Sequence, residues 1–317
     1  MPTAYVALAD RLLDCRDGTG TGEWTTRAHL EGRRLECVAV SPDEPNRVFA
    51  GTFESGLFRR TDRDGAFDRL ETPFESQAVT ALAISPHDAE TVYAGTEPSR
   101  VYRSRDGGDS WEHLDGLVDL PSEPEWYFPP RPHTHHVRWL AVDPFDPDRL
   151  YVGIEAGAFV LSTDGGETWR ERPEGSRRDN HSLTTHPDRE GLVYAAAGDG
   201  FAVSTDGGER WHRPQSGLDH RYCWSVVADP ANPDAVLVSS ASGASSAHRT
   251  ESAESSVYRR RDGDDWSRLD DRGLPTGEGV VRAVFATTDF GDSWSELPVA
   301  WSDDLTEKTP RGLAVLA

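Results

Sequence analysis

Four eight-residue segments of this chain repeat one pattern: Ser or Thr, then Asp two residues on, a Gly-containing turn, and Trp at the eighth place. They occupy residues 104–111, 162–169, 204–211 and 287–294. Looser copies end at Trp24, Phe67 and Trp266, which makes seven. Repetition at this spacing demands a repeated supersecondary unit. The chemistry of the segment is that of a hairpin turn: Asp accepts backbone hydrogen bonds, Gly supplies positive φ, and Trp offers a broad apolar face. Around each copy lie short apolar runs. One closes on Ser-Pro or Asp-Pro, at Pro42, Pro86, Pro144 and Pro230; a second follows a polar turn, at residues 48–52, 92–96, 150–154 and 193–197. A third run leads into the segment and a fourth begins at its aromatic. Four short antiparallel strands per unit predict an all-β chain of radially repeated blades.

A plain unit spans 42 to 44 residues between aromatics, as three of the six intervals do. Two are longer, through insertions at 115–136 and 241–255, and the last is only 28 residues from its predecessor. In that unit, residues 280–286 read as a first strand running straight into the turn. At the ends, residues 4–9 and 12–17 match a second and a third strand, while residues 311–317 match a first strand with no successor. The two ends are expected to complete one blade and close the ring, removing open sheet edges. Residues 1–317 thus read as one seven-unit domain of four-stranded blades, with one unit truncated.

The repeated segment resembles the Asp-box, or BNR, repeat of sialidase-like β-propellers. That resemblance covers nearly the whole chain and implies a structural role for the box residues Asp106, Trp111, Asp164, Trp169, Asp206, Trp211, Asp289 and Trp294. Propellers of this kind include sialidases, xyloglucan-cleaving glycosidases, sorting-receptor ectodomains and a photosystem assembly factor, so the repeat implies a fold more than a reaction. Sialidases also carry a Phe/Tyr-Arg-Ile-Pro segment. The nearest stretch here, Phe128-Pro129-Pro130-Arg131-Pro132, departs from it, and sialidase activity is not expected.

Charge narrows the partners. The chain holds 55 acidic and 33 basic residues, a net charge of -22, and Lys308 is its single lysine. Such a surface repels phosphate backbones, which excludes nucleic acid as a partner. A dispersed acidic coat with lysine suppressed matches proteins of salt-rich cytoplasms, where carboxylates hold water and salt screens their repulsion. No run of 18 apolar residues and no basic-apolar leader is present, so neither a membrane partner nor export is expected, and the chain reads as cytoplasmic. Cys15, Cys37 and Cys223 lack disulfide or zinc-ribbon spacing and read as small buried residues.

In a propeller, the turn after each second strand and the blade-to-blade connection share one rim, and both insertions fall there. Loops beyond the architectural minimum mark a binding site. Several polar residues map to the same rim: His133, His135, His136, Arg138, Glu155, Asp179, His181, His220, Arg221, Tyr222 and His248. Of these, His135, His136, Arg138, Glu155, His181, Arg221 and His248 form the candidate ligand set. His135, His136 and His181 are the candidate ligands of a divalent metal ion, since imidazole with carboxylate suits zinc and related metals. Trp126, Tyr127 and Trp139 offer either stacking faces for a ring or filling between blades. Three functions follow. The leading one is binding of a small polar ligand or metal at a histidine-rich channel mouth, with hydrolase-like chemistry within its reach. The second is a glycoside hydrolase pairing Glu155 with Glu97, Asp179 or Asp199, its carboxylates about 5–9 Å apart. The third is a protein-interaction scaffold, which calls for an exposed apolar patch.

Overall fold

Second strands are buried along their whole length: Val48–Thr52, Val92–Thr96, Leu150–Ile154 and Val193–Ala197 have no exposed residue. A strand covered on both faces has no need of polar alternation, which is why these segments read as continuous runs of Val, Tyr, Phe, Ala and Gly. The computed structural model describes residues 2–18, 22–247, 249, 252–275, 284–299 and 310–316. Among these, the chain is an all-β propeller that divides into two compact units. Among the described residues no helix is long and apolar enough to cross a membrane.

The first unit holds three blades. Strands β1 (Thr3–Leu8), β2 (Leu12–Asp17) and β3 (Trp24–His29) form one blade with the C-terminal strand β25 (Pro310–Leu316), in the order β25-β1-β2-β3. The C-terminal strand pairs antiparallel with β1, Tyr5 opposite Ala314, as the incomplete ends of the sequence require. Strands β4 (Leu35–Val40), β5 (Val48–Thr52), β6 (Leu57–Arg60) and β7 (Asp68–Arg69) make the second blade. Strands β8 (Val79–Ile84), β9 (Val92–Thr96), β10 (Val101–Ser104) and β11 (Glu112–Leu114) make the third.

The second unit also holds three. Strands β12 (Val137–Val142), β13 (Leu150–Ile154), β14 (Phe159–Ser162) and β15 (Arg170–Glu171) form the fourth blade. The fifth comprises β16 (Asn180–Thr185), β17 (Val193–Ala197) and β18 (Gly200–Ser204), its fourth strand reduced to a bridge between Val203 and His212. The sixth is β19 (Tyr222–Asp229), β20 (Asn232–Ala241), β21 (Ser256–Arg260) and β22 (Ser267–Arg268).

The expected seventh blade is not one. Among the described residues six blades are present, and the last box joins only the two-residue strands β23 (Phe285–Ala286) and β24 (Ser295–Glu296). The 28-residue interval is too short to supply four strands. Most of the first strand expected at 280–286 lies outside the described residues, and Phe285–Ala286 serves as the strand entering the box instead. This hairpin leans on the sixth blade, where Arg259 donates to the Phe290 carbonyl at 3.0 Å.

The four clear boxes share one hydrogen-bond cage. The leading Ser or Thr hydroxyl donates to the Asp carboxylate at 2.8–2.9 Å and accepts the N–H four residues on at 2.8–2.9 Å. The Asp in turn accepts the N–H four residues beyond itself at 2.8–2.9 Å. Both polar groups are spent within the turn, which is the structural role implied for Asp106, Asp164, Asp206 and Asp289. The aromatic reaches the neighbouring blade: Trp211 meets Phe159 edge-on at 4.8 Å, and Trp266, which ends a looser copy, meets Phe201 at 4.9 Å.

A glycine lets each later blade of the second unit accept this aromatic. Trp211, Trp266 and Trp294 donate their backbone N–H to the carbonyls of Glu174, Ser216 and Arg272 at 2.8–2.9 Å. The next residue is Gly175, Gly217 or Gly273, at φ +79°, +79° and +95°. A Cβ there would stand 2.1–2.2 Å from the Trp carbonyl oxygen. Gly217→Ala therefore meets left-handed backbone strain of about 1–2 kcal/mol and a backbone overlap costing about 1–3 kcal/mol more. Its thermal midpoint is expected to fall by several degrees. Gly263→Ala, at φ +81° with open space around it, carries only the backbone strain and serves as the comparison.

One ionic network is buried in the first unit. Asp14, 2% exposed, accepts from Arg60 at 2.7 Å and from Arg16 at 2.8 and 2.5 Å. Arg60, 1% exposed, also donates to the Tyr5 hydroxyl at 2.7 Å and lies over the Phe67 ring, where the box has lost its Trp. Burial presses the Asp14 carboxyl upward, but the hydrogen bonds and charges of Arg16 and Arg60 outweigh it and hold its pKa below the ordinary 3.8. Asp14→Asn leaves buried guanidinium charge uncompensated and should cost about 3–5 kcal/mol, read as a lower urea midpoint at neutral pH. Because the folded pKa is depressed, the carboxylate's contribution is full above 3.8 and lost as pH falls through the folded value. The gap between wild type and variant should stay constant above about pH 5 and close in more acidic solution.

Candidate functional site

The first strand of each blade in the second unit begins with a break in pairing. Register shifts fall between Val137 and Trp139, Asn180 and Ser182, and Cys223 and Ser225. Each steps over one residue in the strand register: Arg138, His181 and Trp224. A bulge of this kind re-aims a side chain at the end of a sheet. All three residues lie six positions ahead of a strand-closing proline, Pro144, Pro187 or Pro230. In the first unit, Glu36 and Thr80 occupy the same place ahead of Pro42 and Pro86 and lie within the same register shift.

These residues meet acids carried by the neighbouring turns. Glu155 follows β13, and its Oε2 lies 3.1 Å from His136 Nε2 and 3.4 Å from Arg138 Nε. The next residue, Ala156, is held at φ +49°, a strained value for a residue with a Cβ, and its N–H donates to Asp179 Oδ1 at 2.8 Å. That bond ties the fourth blade to the fifth. The other Asp179 oxygen lies over Gly198, where a Cβ would stand 2.0 Å from Oδ2.

His181 is fully buried. Its Nδ1 is 2.7 Å from the Cys223 carbonyl, which can only accept, so Nδ1 carries the proton. Nε2 then turns toward Asp179 Oδ1, 3.6 Å away, and makes no hydrogen bond among the described residues. Trp224 stacks on the imidazole at 4.9 Å and 24°, and Tyr222 meets it edge-on at 5.0 Å. Glu155, Asp179 and His181 bring one donor atom each within 4.8 Å of one another, a set able to hold a metal ion.

The two carboxyls are held in opposite senses. For Glu155, burial opposes ionisation, yet the His136 hydrogen bond and the charges of His136, His181 and Arg138 outweigh it and hold the group down at about 2. For Asp179, burial prevails, aided by repulsion from Glu155 and Asp199, and its pKa is raised despite His181 and the Ala156 N–H. Burial and the same two acids, Asp179 and Glu155, also push the Tyr222 hydroxyl up.

Both insertions back this cluster. From the first, Phe128 meets His136 edge-on at 4.7 Å. From the second, which begins with Ala241 and forms one helical turn at Ala244–Ala247, Ala241 and Ala247 pack with Tyr222 and Trp224. The remaining candidates lie elsewhere. His135 pairs with Glu123 at 3.1 Å and meets Trp126 edge-on, within the first insertion. Arg221 Nε donates to the Leu218 carbonyl at 3.2 Å, and His220 lies 3.9 Å from Glu254. Asp199 pairs with Arg177, and Trp126 is buried. Trp139 and Tyr127 are exposed, at 37% and 49%. Glu97 belongs to the first unit, and His248 lies outside the described residues. Sequence reasoning passed over Trp224, Gly198 and the Cys223 carbonyl; the fixed distance to the closing proline is the signal that picks out Trp224.

A family model described as BNR/Asp-box repeat matches residues 160–171, the second clear box with its flanking strand residues. No characterised protein matches the chain by sequence. Among solved structures, the GH74 xyloglucanase from Xanthomonas campestris is similar with a TM-score of 0.63 at 18% identity, covering 85% of this chain and 44% of that one. An ancestral GH74 enzyme gives 0.62 at 16% identity, covering 77% and 32%. The present chain thus spans less than half the length of either enzyme. YCF48 bound to D1 peptide gives 0.57 at 12% identity, covering 87% and 84%. At these identities the likeness is one of fold, and the chain is a β-propeller carrying BNR/Asp-box repeats.

Proposed function

We propose that this chain binds a small polar ligand of the carbohydrate class at the rim where its fourth, fifth and sixth blades present Arg138, His181 and Trp224. The observation that carries this reading is the repeated bulge, which turns one side chain per blade to the same end of its sheet. Arg138, Glu155 and Asp179 supply donors and acceptors for hydroxyl groups. Trp139 and Trp224 supply flat apolar faces of the kind that stack on a sugar ring. A fold relative is a xyloglucanase, which makes a β-linked glucan oligosaccharide the first ligand to test. The acidic, lysine-poor coat suits a salt-rich cytoplasm.

Hydrolysis is the second reading, supported by the nearness of Glu155 and Asp179. Their donor oxygens lie within 4.8 Å of one another. That is at or below the short spacing of retaining glycosidases, about 5–5.5 Å, and leaves no room for the water of an inverting one. Glu155 is moreover engaged by both His136 and Arg138. Binding without turnover is therefore the expectation.

Titration of the full chain with xyloglucan oligosaccharides, followed by tryptophan fluorescence, should saturate with no release of reducing ends. Arg138→Gln and Trp224→Ala should each weaken binding about tenfold or more, the equivalent of about 1.4 kcal/mol. A signal from the wild type that never saturates with any neutral sugar rules the reading out. Reducing-end release that disappears in Glu155→Gln establishes the hydrolase instead.

A further inference from the structure

We infer that Glu155, Asp179 and His181 form a binding site for one divalent transition-metal ion of the zinc and manganese class. The inference deepens the ligand reading by placing an ion at the same rim, and it stands on three observations. The first is His181 itself. A fully buried imidazole donates Nδ1–H to a backbone carbonyl and leaves Nε2 facing two carboxylates, with no hydrogen bond to it among the described residues. This is the arrangement by which a metal-ligating histidine has its tautomer and ring orientation set. Leaving such an atom unsatisfied away from water is unfavourable, and an ion removes that cost.

The second observation is the placement of the acids. Two carboxylates drawn together in a half-buried site repel each other, and a divalent cation cancels both charges. Each is held from behind: Glu155 by His136 and Arg138 on Oε2, Asp179 by the Ala156 N–H on Oδ1. The third is the steric gap at Gly198, which admits Asp179 Oδ2 only because there is no Cβ. One nitrogen and two carboxylate oxygens form a borderline donor set that suits zinc and manganese. Three protein ligands leave a position open for water or a ligand hydroxyl, as catalytic rather than closed structural sites do. Donor separations of up to 4.8 Å exceed the edge of a tetrahedron with bonds of about 2.0–2.2 Å. Loading therefore draws the three groups inward by about 1 Å, a movement within reach of small side-chain rotations.

The full chain is stripped with chelator and titrated with Zn²⁺, and separately with Co²⁺, in molar potassium chloride to suppress loose cation association with the acidic coat. One equivalent per chain is expected by elemental analysis, with a visible absorption band for cobalt. Asp179→Asn keeps the shape of the side chain and should weaken uptake at least tenfold. Gly198→Ala, which displaces the Asp179 carboxylate, should do the same, whereas Asp206→Asn, in a box, should leave uptake unchanged. No stoichiometric uptake by the wild type, or uptake unaltered by Asp179→Asn, overturns the inference. The sugar titration is repeated on stripped protein. Sugar binding without metal uptake removes the ion and leaves the ligand reading, while metal uptake without sugar binding does the reverse.

Discussion

The hydroxyl at the head of each box governs how this chain assembles. Buried in Ser104, Ser162 and Ser204, it bonds at once to the box Asp and to the second glycine of the turn, and so locks an eight-residue segment into one shape. With the turn locked, the aromatic that ends it has one direction to take, toward the adjoining blade. Trp211 then covers Phe159, at the start of the third strand one blade back, and Trp266, from a looser copy without that hydroxyl, covers Phe201 in the same way. Burying an aromatic of this size contributes about 1.5–3 kcal/mol, repeated wherever the box is intact. Where it is not, the first unit substitutes: Phe67 replaces Trp, and the space is taken by Arg60, whose charge is matched by Asp14.

Placing function on such a scaffold requires a local departure from regularity, and the bulge at the head of each first strand supplies it. A regular strand alternates its side chains between two faces that must both be apolar between blades. The residue at the bulge escapes that alternation. Because the departure recurs in register, Arg138, His181 and Trp224 hold the same place in three different blades, and their chemistry varies while the backbone beneath them does not. Strain at Ala156 is the local cost, offset by the hydrogen bond it makes to Asp179.

Most of the fold was legible because repetition makes each unit evidence for the next. The runs at 48–52, 92–96, 150–154 and 193–197 coincide with β5, β9, β13 and β17, and the unmatched ends meet as β25 and β1. Counting failed at the last unit. A box signals a hairpin turn and nothing more, and the hairpin of β23 and β24 has no partner strands among the described residues. At the site, Glu155, Asp179 and His181 were legible as polar residues at strand ends, and His136 through its neighbours. His135 shows the limit: it sits beside His136 in sequence, but adjacent residues of extended chain point apart, and it turns to Glu123 while His136 turns to Glu155. Trp224 was hidden because its role depends on pairing register, which composition does not display.

The charge imbalance also has a structural side. Lysine is nearly absent from the sequence, and arginine does work that lysine could not. Arg59, Arg149 and Arg259 reach across to the carbonyl after the box Asp of another turn, at Gly107, Gly207 and Phe290, over 2.5–3.0 Å. Arg59 and Arg259 also grip Asp109 and Asp292 with the same guanidinium group. A planar fork with five donors can satisfy a carbonyl and a carboxylate together, whereas a single ammonium on a flexible stem holds neither in a defined plane. The basic minority is thus recruited to bind box turns to neighbouring strands, and the acidic majority is left to the solvent. On such a surface Glu155 and Asp179 differ from most of the acidic residues, since each is partly withdrawn from water and both stand beside the buried His181.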